Sequence, residues 1–486
     1  MKKKMIIIGL DGASFELLQP MIDDGTLPNL KIIQQKGCWA DMEVCLPPVT
    51  CPNWKCYSTG KNPGKLGVFW WENIDIANKR VYHPRKRYQK HKEIWDYLSI
   101  AKKRCLIMNM PTTYPVKEIN GYLIAGGPDA PEKGFTYPKN LEQQLEKEGY
   151  KVHAEKINPL IFSKEEIFAD CRNVIKKRFE IFQKLIKEET FDFAQITLFY
   201  INAMQHFFWN DELTKDLWKL IDSNIGKLCK QHTVFLLSDH GSNPISTVFN
   251  INSWLEKEGY LVLKKNKFSS MLSALRINQE SCYKFINKMG IKKEQLIKII
   301  PESLLKLIPF EGGEIRKEAK TQKINWKKSR AIASGQGPVY LIDKSSALKK
   351  EIITKIKRLK NKKGENIAAN VFTKEEIYLG PYLDIAPDII IDQNKGVHIQ
   401  GGIGKKAIFE NPLKWKGENK KTGLFMAYGP EISTNGNFGK VHILDLAPTI
   451  LNFFEINKPE NMDGKVLNIL KKEEVYEEKT YKKIKI

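Results

Sequence analysis

MIIIGLDG, residues 5–12, is a run of six apolar or small residues closed by Asp11-Gly12. A short all-apolar run followed by glycine and then a helical pattern is the signature of a strand buried on both faces of a parallel sheet. Residues 15–35 have helical spacing, with loop signals at Gly25 and Pro28. The unit then recurs. Residues 105–110 are mostly apolar and stop at Pro111, and residues 121–125 stop at Gly126-Gly127. A long amphipathic helix over 164–188 leads into an apolar run at 191–200, and a helix over 212–230 leads into 233–237, which ends in SDHG. Residues 388–391 and 424–427 read as strands, and 443–454 as a helix. Strands alternating with helices predict an α/β sandwich with a mostly parallel sheet.

Between residues 263 and 325 the pattern changes to lysine-rich helical segments, 271–289 and 293–307. This stretch is expected to be an inserted helical cap or lid, dividing the α/β domain into residues 1–262 and 326–470. The remainder, 471–486, reads as a peripheral charged tail, and no internal repeat is present at a solenoid period.

Bulk composition narrows the class. At 486 residues, with 42% hydrophobic and 28% charged residues, the chain is globular and long enough for a large core plus an insertion. No apolar run approaches the roughly 20 residues that span a bilayer. Lys2-Lys3-Lys4 before the first apolar run imitates a signal peptide, but Asp11 interrupts it and no small-residue cleavage site follows, so a core strand is expected instead. Eight cysteines without paired spacing then suggest reduced thiols and a cytoplasmic setting. The net charge of +23 is compatible with nucleic acid or an anionic membrane face. Lysines are spread almost everywhere, often beside glutamates, and no basic motif interleaved with aromatics appears. Genome-wide lysine bias is therefore preferred over a specific nucleic-acid partner.

In open α/β sheets, ligands collect beyond the carboxyl ends of the strands. Asp11 stands at the end of the first strand, Asp239-His240 after the 233–237 strand, and Asn202 and His206 after the 191–200 strand. The last two are four apart, on one face of a helix. Between the first two strands lies CLPPVTCPNWKCYSTGKNPGKLG, residues 45–67. Its prolines bring Thr50 to the mouth of a helix, where free N–H groups and the dipole favour an anion. Taken alone, Thr50 or Cys51 is more readily a helix N-cap than a nucleophile. An Asp-His pair, a strand-end Asp and a Thr at a helix mouth are together more than coincidence, and carboxylates with imidazole suit Zn²⁺ or Mn²⁺.

These strings resemble the alkaline phosphatase superfamily, and within it the type I phosphodiesterase/nucleotide pyrophosphatase branch and its cytosolic prokaryotic members. The resemblance runs through IIIGLDGASFELL, DDGTLPNL, LPPVTCPNW, STGKNPGKLG, MPTTYP and LLSDHGS. It continues through FNINSWLEKEGYL, YLGPYLDIAPDIII, LFMAYGPEI, ILDLAPTILNFFEI and MDGKVL, covering nearly all of residues 5–468. It implies an alkaline-phosphatase-like three-layer fold, with Thr50 as nucleophile and Asp11, Thr50, Asp239 and His240 as ligands of one metal ion. Asn53 matches an asparagine that helps hold a phosphoryl oxygen. The implied reaction is attack of Thr50 on a phosphodiester or pyrophosphate, through a phospho-threonine intermediate.

The second metal site of the family departs from the pattern. Asn202 stands where aspartate is expected, four residues before His206, and Asn419 where a histidine is expected in a Gly-x-His setting. Neutral amides bind divalent cations less well than carboxylate or imidazole. Three readings follow: one tightly held metal with the second absent or borrowed from substrate, a replacement ligand from His398 or Glu418, or a protein that has lost hydrolysis and works as a transferase or a binding scaffold. The first is preferred, and the scaffold is its alternative. Other signals fall away. Ser58-Thr59-Gly60-Lys61 lacks the upstream glycine of a P-loop, since position 55 is lysine. Residues 50–54 lack the terminal arginine of the sulfatase motif. Cys51 is a weaker nucleophile candidate than Thr50, and Trp70-Trp71 are packing residues before they are a base-stacking pair.

Overall fold

The computed structural model describes residues 3–159, 161–230, 232–264, 321–433 and 436–471. Its centre is a nine-stranded sheet, with strands numbered in chain order: β1 (Met5–Leu10), β2 (Cys38–Glu43), β3 (Cys105–Met110), β4 (Gly121–Ala125), β5 (Thr136–Tyr137), β6 (Phe193–Leu198), β7 (Thr233–Leu237), β8 (Thr422–Tyr428) and β9 (Gly436–His442). Their order across the sheet is β9-β2-β8-β7-β1-β6-β3-β4-β5. Five neighbours, β7-β1-β6-β3-β4, are mutually parallel. β8 is antiparallel to both β7 and β2, and β5 is antiparallel to β4. The mostly parallel α/β sandwich expected from the sequence is what forms.

The apolar runs have a direct cause. Ile6, Ile8 and Leu10 of β1 enter the core on one side of the sheet, and Met5 and Ile7 enter the core on the other. The same division separates Val234 and Leu236 from Phe235 and Leu237 in β7. Successive side chains point to opposite faces, so a strand covered on both sides shows no polar alternation. The helices Phe15–Asp23, Pro28–Lys36, Lys164–Glu188 and Glu212–Leu228 supply residues to the first layer. The helices Thr50–Thr59, Ile94–Ile100 and Leu446–Phe453 supply the second.

A second, antiparallel sheet lies downstream, in the order Ala331–Ala333, Pro338–Leu341, Ile389–Gln393, Ala368–Thr373, with its own apolar core. Of this sheet, the sequence pattern marks only residues 388–391. The helix expected over 443–454 is a short 3-10 turn, Ile443–Asp445, followed by the helix Leu446–Phe453. Most of the expected cap, residues 265–320, and the tail residues 472–486 lie outside the described residues. The two ends of the insert run side by side: Leu263 bridges Ile324, and Lys264 N donates to Lys323 O at 2.8 Å. Among the described residues no helix is long and apolar enough to cross a membrane, and Cys38, Cys45, Cys51, Cys56, Cys105, Cys171 and Cys229 are free thiols.

Candidate active site and metal centre

Register brings the polar residues together. β1 pairs with β6 from Met5↔Phe193 to Leu10↔Leu198, and with β7 from Met5↔Thr233 to Gly9↔Leu237. The three strands therefore end level, and the residues that follow them share one edge of the sheet. Asp11, Asp239 and His240 meet there, fully buried, each offering a ligand atom within 4.8 Å of the others. Gly12 makes the turn after Asp11 with φ +73°, and its N–H donates to Asp239 Oδ1 at 3.2 Å. A Cβ at Gly12 would lie 2.4 Å from Asn202 Oδ1, so glycine is needed for backbone conformation and for space.

Thr50 arrives from the Thr50–Thr59 helix. Val49 is the residue that precedes the helix, and its extended backbone (φ −129°, ψ 142°) starts the first turn, so Thr50 stands inside the helix as its first residue. The N-cap alternative for Thr50 is thereby removed. Thr50 Oγ1 instead lies 3.3 Å from His240 Nε2. Cys51 turns away from the site, with Sγ 2.9 Å from Tyr88 Oη, and burial pushes its thiol far above its ordinary range, so it holds little thiolate.

The electrostatics of this cluster point to a cation. His240 Nδ1 lies 2.9 Å from Gly241 O, which can only accept, so Nδ1 carries the proton and Nε2 presents a lone pair. That lone pair faces Asp239 Oδ2 at 3.3 Å and Asp11 Oδ1 at 3.6 Å. Asp239 Oδ2 is buried and accepts no hydrogen bond among the described residues. Burial pushes the Asp239 carboxyl up to about 7 and the Asp11 carboxyl well above its usual range, while burial lowers His240. Two carboxylates and an imidazole lone pair turned toward one another in a dry pocket repel unless a positive charge sits among them. Oxygen and nitrogen donors of this kind fit a divalent cation such as Zn²⁺ or Mn²⁺.

Asp11 is aimed by two donors that do not titrate. Trp54 Nε1 donates to its Oδ2 at 3.1 Å and Asn202 Nδ2 to its Oδ1 at 2.7 Å. Sequence reasoning missed Trp54. The available signal was its place one helical turn after Thr50, on the same face. Donors that orient a metal-binding carboxylate in this way are worth about 10–100-fold in metal affinity. Trp54→Phe is expected to weaken Zn²⁺ binding by about 10-fold while the chain stays folded. Isothermal titration checks it, and an unchanged affinity would show that the indole N–H has no role in aiming Asp11.

Asn53, expected at a phosphoryl oxygen, is placed differently. Its Oδ1 accepts from Cys45 N at 2.9 Å, and its Nδ2 donates to Cys45 O, Pro47 O and Val49 O at 3.0, 3.1 and 3.2 Å. The amide is engaged wholly by the loop that delivers Thr50, and in this geometry it is a clamp on that loop.

The residues of the expected second site occupy an adjoining wall. Asn202 and His206 lie one turn apart on the Tyr200–Phe207 helix. Asn419 is on the strand Gly417–Lys420, which pairs with Gly241–Pro244 directly after His240, with Ser242 opposite Asn419. His206 Nδ1 donates to Gly417 O at 2.8 Å, tying helix to strand and leaving Nε2 as the lone pair. Ser242 Oγ donates to Gly12 O at 2.7 Å and lies 3.1 Å from Gln205 Oε1, another link that sequence did not announce. The side-chain oxygens of Asn202 and Asn419 are buried and accept no hydrogen bond among the described residues. His398, on the strand Val397–Gln400, has its Nδ1 against Glu418 Oε2. Burial pushes both His206 and His398 down to about 3, so both rings are neutral at ordinary pH.

The structure is similar to the crystal structure of phosphonoacetate hydrolase from Sinorhizobium meliloti 1021 in complex with phosphonoacetate. The two share 13% identity and a TM-score of 0.60, over 93% of this chain and 95% of that one, which is a likeness of fold. No curated protein matches the sequence. Residues 5–423, from β1 into β8 and so through Asp11, Thr50, Asp239 and His240, match the family model described as type I phosphodiesterase / nucleotide pyrophosphatase. On that match, the chain belongs to the type I phosphodiesterase/nucleotide pyrophosphatase family.

Proposed function

We propose that the chain is a metal-dependent phosphodiesterase or phosphotransferase that works on a small phosphodiester or pyrophosphate substrate through Thr50. The observation that carries this reading is the meeting of Thr50 Oγ1 with the buried Asp11–Asp239–His240 cluster. Asp11, Thr50, Asp239 and His240 would hold the cation, which when bound lowers the pKa of the hydroxyl and offsets charge on the phosphoryl oxygens. Thr50 Oγ attacks phosphorus in line, its proton passing to the neighbouring acceptor atoms, and the P–O bond to the leaving alcohol or phosphate breaks. The product on the protein is a phospho-threonine ester, released when water or another acceptor attacks. Trp54 and Asn202 hold Asp11 in place, and Asn53 fixes the loop so that Thr50 stays at the helix start.

The neutral Asn202 and Asn419 favour a second reading, a protein that keeps the fold and one metal but binds its phosphoester without turning it over. One experiment separates the two. Purified chain with added Zn²⁺ or Mn²⁺ is expected to release the phenol from an aryl phosphodiester. No release in the presence of either metal, together with saturable binding of the same compound, would support the binding protein.

A further inference from the structure

Between Ala331–Ala333 and Pro338–Leu341 the chain turns through Ser334-Gly335-Gln336-Gly337. Gln336 has φ +59°, in the left-handed region that strains a side chain, although glycines stand on both sides of it. Residues held in such conformations cluster at functional sites. Both ends of the Gln336 amide are engaged: Oε1 accepts from Trp70 Nε1 at 3.0 Å, and Nε2 donates to Glu418 Oε1 at 2.8 Å. The turn is also clasped through its backbone and its first residue. Gln336 N donates to Ile399 O at 2.8 Å, and Ser334 Oγ donates to Glu72 O at 3.2 Å. A Cβ on Gly335 would lie 3.4 Å from Trp70 Cζ2, so the turn packs against the indole ring as well. The two groups that Gln336 joins belong to the segments beside the candidate active site. Trp70 O lies 4.0 Å from the Sγ of Cys51, the neighbour of Thr50. Glu418 is fully buried and pairs with Asn243, three residues past His240. The indole itself is half-buried and keeps part of its ring open.

We propose that Gln336 is a positioning residue for the reaction at Thr50: by tying Trp70 Nε1 to Glu418, it fixes the indole as a wall against which the organic group of the substrate packs. A flat apolar wall favours an aryl group over a small alkyl group. A wall already held before substrate arrives loses little side-chain freedom on binding, so the tether acts on affinity. A glycine at 336 would relieve the strain and lose the tether, which accounts for a glutamine in a turn that otherwise suits glycine. The inference rests on the reading of Thr50 as the reacting residue, and its test separates the two.

Gln336→Gly keeps the path of the turn, because glycine adopts φ +59° freely. In the zinc-loaded full-length chain it is expected to raise KM for bis(4-nitrophenyl) phosphate by about 5–10-fold, on the order of one lost hydrogen bond, and to change kcat by less than about twofold. Trp70→Phe, which keeps a ring and removes the indole N–H, should raise KM by a similar factor. The double variant should be no worse than Gln336→Gly alone, because both changes break one tether. A KM equal to wild type, a loss confined to kcat, or factors that multiply in the double variant would overturn the proposal. The calorimetric Kd of phenylphosphonate, a stable anion with one ring, gives the same comparison without turnover. If wild type does not cleave the diester, or Thr50→Ala cleaves it as well as wild type does, the Thr50 reading fails and this Kd decides the wall. A rise of about 5–10-fold in Gln336→Gly then supports it, and an unchanged value overturns it. If Gln336→Gly does not fold, Trp70→Phe decides by the same factor.

Discussion

Thr50→Ala is expected to abolish turnover and leave the protein folded. Removing the nucleophile from a covalent mechanism costs on the order of 10⁴–10⁶ in kcat, since what remains is binding and charge stabilisation around the reacting group. The stability cost is small for two reasons. The hydroxyl faces His240 and Thr50 is not the helix cap, and the helix start is set by Val49 and by the Asn53 clamp on the loop. Thr50 is also a metal ligand in this reading, so the variant should bind Zn²⁺ less tightly while Asp11, Asp239 and His240 still retain it. A second readout fixes the role. Rapid quenching of wild type with a substrate labelled in the transferred phosphoryl group should trap label on the peptide containing residues 45–67. Undiminished aryl phosphodiester cleavage by Thr50→Ala, or absence of trapped label under single-turnover conditions, would move the attack to water.

What the sequence made legible follows from where each signal lives. β1, β3, β6 and β7 announce themselves because both of their faces are buried, which leaves an unbroken apolar run between loop signals. β2, CWADME, alternates buried and half-buried residues and carries an internal Asp, so it reads as loop until its pairing with β8 and β9 places it in the sheet. Asp11, Asn202 and His206, and Asp239-His240 could be found as polar residues just beyond strand ends. That Thr50 is free of capping duty could not be read, because an N-cap and a first helical residue share the same sequence neighbourhood and differ only in φ and ψ. Asn53 is a case of another kind. Its identity matches a family position, but its four hydrogen bonds depend on the path of residues 45–49. The His398–Glu418 contact is a product of tertiary pairing, twenty residues apart on two different small sheets, and no local pattern encodes it.

The second large effect concerns the far side of the nucleophile's helix. Lys55, just over one turn past Thr50, is fully buried with Nζ 2.7 Å from Glu93 Oε1, while Lys117 Nζ lies 2.9 Å from Glu93 Oε2 and 2.5 Å from Asp96 Oδ2. Ser58 Oγ adds a bond to Glu93 Oε1 at 2.9 Å. Burial alone would raise the Glu93 carboxyl, but Lys117 and Lys55 outweigh it and hold the group below its ordinary value. A carboxylate depressed in the folded state contributes stability that is complete above its unfolded pKa of about 4.3 and is lost as pH falls through the lower folded value. Glu93→Gln removes the charge at every pH. It leaves Lys55 buried without its counter-ion and is expected to cost about 3–5 kcal/mol, the penalty for breaking one partner of a buried pair. Urea unfolding at pH 7 measures the loss, with Glu165→Gln, an exposed position, as the control that should stay within about 0.5 kcal/mol. The double variant Lys55→Met with Glu93→Met should recover most of the loss, because apolar replacement of a buried pair is often neutral. Lys117 is part exposed and keeps Asp96, so it need not be left unpaired. A Glu93→Gln midpoint equal to wild type would mean that Lys55 loses its charge or reaches water when Glu93 is neutral, and the helix that carries Thr50 would then not depend on this pair.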